Sequence, residues 1–183
     1  MKRNVGQAFR QREWRTYDGN FVPPDLNYQD IPPNLAIGPY PQCEEDVILM
    51  KERGITGVIN VQTDDDHRFR MINWELMTGF YAKHGISVRR IPILDFNGDE
   101  LARLVKVASD GCHELVQEAY TQGKAPRVYI HCTAGMGRAP AVACVYLVLH
   151  QGFNLGDALA HCKAHRNVCA PNWSAMENAL RHA

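Results

Sequence analysis

The run His131-Cys132-Thr133-Ala134-Gly135-Met136-Gly137-Arg138-Ala139-Pro140 has the residue types and spacing to do chemistry. A thiol stands at its front, two glycines lie inside, and Arg138 follows Cys132 after five intervening residues. Strand-like Val128-Tyr129-Ile130 leads in, and an apolar helix-like run from Ala141 to Leu149 leads out. A strand, a Gly-containing loop and a helix N-terminus in that order make an anion cradle, because backbone N–H groups and the helix dipole converge there. Nucleotide-binding loops of this kind end in Lys and Ser/Thr. Here a nucleophile and a guanidinium stand instead. A helix N-terminus rich in N–H donors stabilises a thiolate. The donors of Thr133, Ala134, Gly135, Met136 and Gly137 would hold phosphoryl oxygens, and Arg138 would grip two of them. Gly135 and Gly137 permit a backbone path and close approach that a Cβ would obstruct. A cysteine alone is most often buried and inert. The His, the glycines and the Arg at this spacing point to covalent catalysis on a phosphate ester.

Such a reaction needs an acid for the departing alkoxide. Asp95 is the first candidate, in the loop Asp95-Phe96-Asn97-Gly98-Asp99 after a strand. Asp99 is second, but its place before a long helix suits an N-cap. His131 is expected to hydrogen-bond the loop backbone and tune the nucleophile. No metal or cofactor is expected. His161, Cys162, His165 and Cys169 have a metal-like spacing, yet Cys162 lies about 100° around the helix from His161. Asp64-Asp65-Asp66 lacks regular ligand spacing and reads as a polar loop with Thr63.

These groups need a scaffold. Strand-like segments at 35–38, 58–61, 87–91 and 128–130 alternate with helical ones at 44–53, 74–83, 100–120, 141–149, 155–166 and 172–182. Leu101, Leu104, Val105, Ala108, Cys112, Leu115, Val116 and Ala119 share one face of the longest helix. In the 44–53 helix, Val47, Ile48 and Met50 are expected inside. Pro23-Pro24 and Pro32-Pro33 make 16–34 an extended lead-in. The pattern is α/β: one domain, a central, mainly parallel sheet flanked by helices, and the Cys-x5-Arg loop at a strand's carboxyl end. An N-terminal arm is expected over 1–25 and the domain over 26–183. The arm is basic without an apolar core, so it reads as a solvated segment or the stub of an organelle transit segment, not a secretory signal. Zero formal net charge argues against nucleic acid and anionic membrane as partners. No apolar run approaches a membrane span. Six cysteines without a CxxC pair favour a reducing compartment.

His-Cys-x5-Arg resembles the signature of the cysteine-dependent protein tyrosine phosphatase superfamily. Cys132-Thr133-Ala134-Gly135-Met136-Gly137-Arg138-Ala139-Pro140 is similar to the loop of the glucan phosphatase branch, which comprises laforin and the plant starch phosphatases. Ala139 departs from the hydroxyl usual in the superfamily and agrees with the plant enzymes of that branch. The likeness extends to Val61-Gln62-Thr63-Asp64, Ile93-Leu94-Asp95-Phe96-Asn97 and Cys169-Ala170-Pro171-Asn172. It implies Asp95 as general acid and Phe96 as an aromatic wall. It also implies glucan contacts at Phe69, Trp74, Pro171 and Asn172, Trp74 being equally well a core residue. Arg70 stands where one plant relative has Trp, and Asn60 where some have a redox Cys. The implied activity is hydrolysis of phosphate monoesters on a starch- or glycogen-like glucan through a cysteinyl-phosphate, by a monomer in a plastid or the cytoplasm. Two rivals stay open: a dual-specificity phosphoprotein phosphatase, and a non-catalytic carbohydrate-binding or scaffold protein. Uncharged Thr133, Ala134 and Met136 weigh against phosphoinositides.

Overall fold

The computed structural model describes residues 26–181, so the arm expected at 1–25 and the last two residues lie outside the described residues. A five-stranded sheet forms the centre. Its strands are β1 (Gln29–Ile31), β2 (Leu35–Gly38), β3 (Gly57–Asn60), β4 (Ser87–Arg90) and β5 (Val128–His131). Their spatial order is β1-β2-β5-β3-β4. β2, β5, β3 and β4 run parallel, and β1 pairs with β2 antiparallel at the edge. β5 is therefore the middle strand, and its last residue, His131, lies between Gly38 and Asn60.

Helices cover both faces, as the alternating pattern implied. They are α1 (Glu44–Glu52), α2 (Asp64–Arg70), α3 (Trp74–Lys83), α4 (Gly98–Thr121), α5 (Arg138–Gln151), α6 (Leu155–His165) and α7 (Trp173–Arg181). Alternation along β5 sends Val128 and Ile130 into one core with α4, α5, α6 and α7, and Tyr129 into the other with α1 and α3. Every residue of α5 from Arg138 to Leu147 is buried, which explains its apolar character all round. Pro140 is tolerated because the first-turn N–H groups have no intrahelical partner. Among the described residues no helix is long and apolar enough to cross a membrane.

Four local readings are corrected. The 16–34 lead-in contains a strand, β1, whose edge position is compatible with the neighbouring prolines. Thr63 to Asp66 is a helix start, not a loop: Asp66 N–H donates to Thr63 Oγ1 at 3.1 Å and Thr63 N–H to Asp66 Oδ2 at 2.9 Å. Asn97, not Asp99, caps α4, accepting from Glu100 N–H at 2.9 Å. Ile48 faces solvent while Asp46 turns inward to accept from Gln42 N–H at 2.8 Å.

Leu147→Ala, in the buried stretch of α5, is expected to cost about 2–5 kcal/mol in urea unfolding. Ile48→Ala is expected to stay within about 0.5 kcal/mol. Equal losses would contradict this division of inside and outside.

Candidate active site

β5 ends by delivering Cys132 into a turn that closes at the first residue of α5. Gly135 sits at φ +67°, and a Cβ there would stand 2.4 Å from Gly38 O, so both the backbone angle and the packing require glycine. The turn aims an N–H inward: Gly135 N–H donates to Cys132 Sγ at 3.2 Å. Gly137, preceding α5, offers no side-chain cap. The first N–H groups of the helix thus stay available on the same side.

Arg138 is 3% exposed. Its Nη1 donates to Asp66 Oδ2 at 2.7 Å and to Ile93 O at 2.8 Å. Its Nη2 donates to Asp95 Oδ2 at 3.0 Å and lies 3.3 Å from Asp66 Oδ1. Burial works against the guanidinium charge, but the hydrogen bond to Asp66 and the nearby negative charges together outweigh it and raise the pKa, so the charge is kept. Among the described residues, Arg138 Nε–H is buried with no acceptor. An orphan donor on a buried cation is a costly arrangement unless an anion takes it up.

Asp66 is the residue the sequence reading missed. Burial tends to raise its pKa, yet the hydrogen bonds from Arg138 and Thr63 prevail and hold its carboxyl at about 2. The available signal was Thr63-x-x-Asp66, a capping-box spacing that opens a helix. Thr133 Oγ1 joins the same network, donating to Asp66 Oδ1 and accepting from Gln62 Nε2, each at 3.2 Å.

The structure brings Cys132, Arg138 and Asp95 to one place. Asp95 lies on the loop between β4 and α4, which Ile93 ties to β3 through Val61 O at 3.1 Å. The next residue, Phe96, turns with φ +57° and is fully exposed. A non-glycine residue in that region is strained by about 1 kcal/mol or more. Buried His131 supports the turn from below. Its Nδ1 is 3.2 Å from Cys132 O, and since that oxygen only accepts, Nδ1 carries the proton. Burial pushes its pKa down to about 3, against the pull of that hydrogen bond, so the ring is neutral.

The remaining expectations divide. Phe69 is exposed on α2 with the Arg70 guanidinium 4.9 Å from its ring centre. Trp74 is half-buried, packing against the second core and stacking on His67 at 5.3 Å. Asn172 caps α7 through Ala175 N–H at 3.0 Å and lies against Gly98, while neighbouring Ala170 N–H bonds Met136 O at 2.7 Å. Pro171 and Asn172 therefore bridge from the Cys132 turn to the start of α4. The metal-like quartet comes apart: Cys162 Sγ faces Cys144 Sγ at 3.7 Å in the core, and His161 bonds Pro32 O at 2.6 Å. Ala139 is fully buried.

This geometry is joined by a family match. The family model for the dual specificity phosphatase catalytic domain matches residues 37–182. The chain belongs to that family. Among its relatives, phosphoglucan phosphatase DSP4, amyloplastic, from Castanea sativa is 32% identical over 84% of this chain and 40% of its own. Laforin from Mus musculus is 30% identical over 71% of this chain and 41% of its own. The chain thus spans about two fifths of the length of these curated relatives. The solved structure of PTPMT1 in complex with PI(5)P superposes with a TM-score of 0.67 at 19% identity, covering 84% of this chain and 92% of that one. At that identity the likeness shows the phosphatase-domain fold alone.

The buried histidines and Asp66 make stability depend on pH with a definite sign. His131 and His67, normally near 6.5, are held at about 3 and about 4, burial being the main cause in each. Between those values and 6.5 the unfolded chain binds more protons, so stability falls as pH drops below 6.5. Asp66 adds a further loss as pH falls from 3.8 toward about 2. The urea midpoint should drop between pH 7 and pH 5, and drop less in His67→Gln. An identical pH dependence in that variant would refute the assignment to His67.

Proposed function

We propose that this domain removes phosphate monoesters from a glucan through a cysteinyl-phosphate intermediate. The observation that carries the phosphatase chemistry is the buried Arg138 with an unpartnered Nε–H, next to a turn whose Gly135 N–H points at the Cys132 sulfur. A thiolate on Cys132 attacks phosphorus in line. The P–O bond to the sugar breaks, and Asp95 gives its proton to the departing oxygen. The N–H groups of Thr133 to Gly137, with Arg138, stabilise the charge on the equatorial oxygens. Water then attacks the S–P bond, Asp95 takes its proton, and phosphate leaves with the thiolate restored. Arg138 Nη2 is the shared element: it bonds Asp95 at 3.0 Å, so an arriving phosphoryl group meets the clamp and the acid together.

The glucan assignment rests on the names of the Castanea and mouse relatives, and on the surface beside Asp95. Phe96 and Phe69 are both exposed, on the loop carrying Asp95 and on the helix carrying Asp66. Exposed aromatic faces suit stacking on sugar rings, whose C–H faces are apolar. Pro171 and Asn172 would border the chain's path beside the Cys132 turn. The amyloplastic relative favours a plastid setting. A monomer satisfies this chemistry, since every proposed group comes from one chain.

Phosphate release from solubilised amylopectin, a phosphotyrosine peptide and an aryl phosphate tests both levels. Cys132→Ser should abolish release from all three. Asp95→Asn should lower kcat by about 100- to 10,000-fold on glucan and much less on the aryl phosphate, whose leaving group needs little protonation. Phe96→Ala should reduce glucan turnover several-fold more than aryl phosphate turnover. Release from the peptide but not from amylopectin would sink the glucan assignment and favour the phosphoprotein reading. Absence of release from all three would sink the enzyme reading.

A further inference from the structure

Four consecutive carbonyls of the Cys132 turn are held from outside. Thr133 O accepts from Tyr40 N–H at 3.3 Å, and Met136 O from Ala170 N–H at 2.7 Å. The two between them share one side chain: Arg166 Nη2 donates to Ala134 O at 3.2 Å and Arg166 Nε to Gly135 O at 2.9 Å. In a planar trans peptide the C=O of one residue and the N–H of the next point in opposite directions. Carbonyls drawn outward at 133–136 therefore turn the N–H groups of Ala134, Gly135, Met136 and Gly137 inward. The Gly135 N–H contact to the Cys132 sulfur shows that direction directly.

Arg166 is 3% exposed, and among the described residues no carboxylate pairs with it. Its third arm, Nη1, donates to Asn27 O at 2.9 Å and to Gln29 Oε1. A buried guanidinium that meets carbonyl oxygens and no carboxylate among the described residues is expensive to desolvate. Packing alone could be done by an apolar side chain. The planar fork has the geometry to hold two adjacent peptide units at once, which an ammonium does not.

We propose that Arg166 is the positioning residue of the phosphate loop: it sets the two middle N–H donors toward the substrate, and it wires that setting to the chain entering β1 through Asn27 and Gln29. The inference rests on the phosphatase reading only for its kinetic consequence. The loop geometry can be read with an oxyanion alone.

The test uses tungstate as the phosphate mimic, with affinity measured by calorimetry, alongside steady-state kinetics on aryl phosphate and thermal unfolding. Arg166→Met should weaken tungstate by about 10- to 100-fold, the worth of one or two charge-assisted hydrogen bonds. It should lower kcat by about 100-fold or more, as loss of an oxyanion donor does, with a smaller change in KM. Arg166→Lys, keeping the charge but not the fork, should recover only part of both. Gln29→Ala leaves the loop untouched and removes one rear anchor. It should weaken tungstate several-fold at nearly unchanged thermal stability, and it decides the matter if Arg166→Met fails to fold. Wild-type tungstate affinity in the folded Arg166→Met protein, or in Gln29→Ala when the former does not fold, overturns the inference. Tungstate binding by wild type that depends on Arg166, without phosphate release from any substrate, would uphold this role while the phosphatase reading falls.

Discussion

A cation buried beneath the Cys132 turn is the constraint from which the rest of the site follows. The Arg138 guanidinium is out of water, and desolvating it costs several kcal/mol unless acceptors replace the lost hydration. Asp66 and Ile93 O supply three of those acceptor contacts, at 2.7, 3.3 and 2.8 Å. Asp66 does so only because Thr63 caps α2 with it, and α2 starts where β3 ends. Ile93 O does so because its own N–H is tied to β3 through Val61 O. The cation is thus anchored on two neighbouring strand ends, and its Nε–H remains the uncommitted donor. An anion arriving there completes a coordination shell that the fold has left one partner short.

The same arginine couples the acid loop to the nucleophile loop. Asp95 reaches Arg138 Nη2 from a segment otherwise fixed at Ile93 and again at the Asn97 cap. Between these anchors lie Leu94, whose N–H donates to Glu100 Oε1 at 3.1 Å, Asp95 and Phe96. The left-handed turn at Phe96 sends the ring away from the core while Asp95 points in. One short segment therefore places a carboxylate on the Arg138 guanidinium and an exposed aromatic ring next to it. The backbone strain at Phe96 is sustained by the anchors on both sides.

Much of this was legible in the chain. The Cys132-to-Arg138 spacing, the short apolar strand runs and the all-round apolar α5 each carry a local signature, so the Cys132 loop, the sheet and its central helix could be read directly. Asp95 was singled out from its loop setting together with family resemblance, and it lies on the Arg138 guanidinium. Asp66 and Arg166 were not assigned, for different reasons. Asp66 sits among three aspartates, and the capping spacing with Thr63 is followed by charged residues rather than an apolar run, which masks the helix start. Arg166 closes a helix that carries Lys163 and His165 as well. Nothing local distinguishes the basic side chain that turns inward to the loop carbonyls from those that turn to water. Trp74 shows the converse: an aromatic residue near the acidic helix has two uses, stacking on a ligand or on His67, and only packing decides between them.

The two buried arginines divide the work by what they face. Arg138 meets two carboxylates and the Ile93 carbonyl and keeps its Nε–H as a remaining donor among the described residues. Among the described residues Arg166 meets carbonyl and amide oxygens, on the back of the same loop. A phosphate cradle of backbone donors has no side chains to specify it, so its geometry must come from whatever holds the carbonyls. Here that support comes from Tyr40 on one flank, Ala170 on the other, and Arg166 across the middle. Uncharged Thr133, Ala134 and Met136 are compatible with this arrangement, since the positive field arises from peptide dipoles and from guanidinium groups below and behind the loop. On the proposed function, selection among phosphate esters falls to the rim, where Phe96 and Phe69 are exposed. A rim with aromatic faces and a loop without added cations matches a phosphate carried on a neutral polymer better than one carried on a densely anionic headgroup.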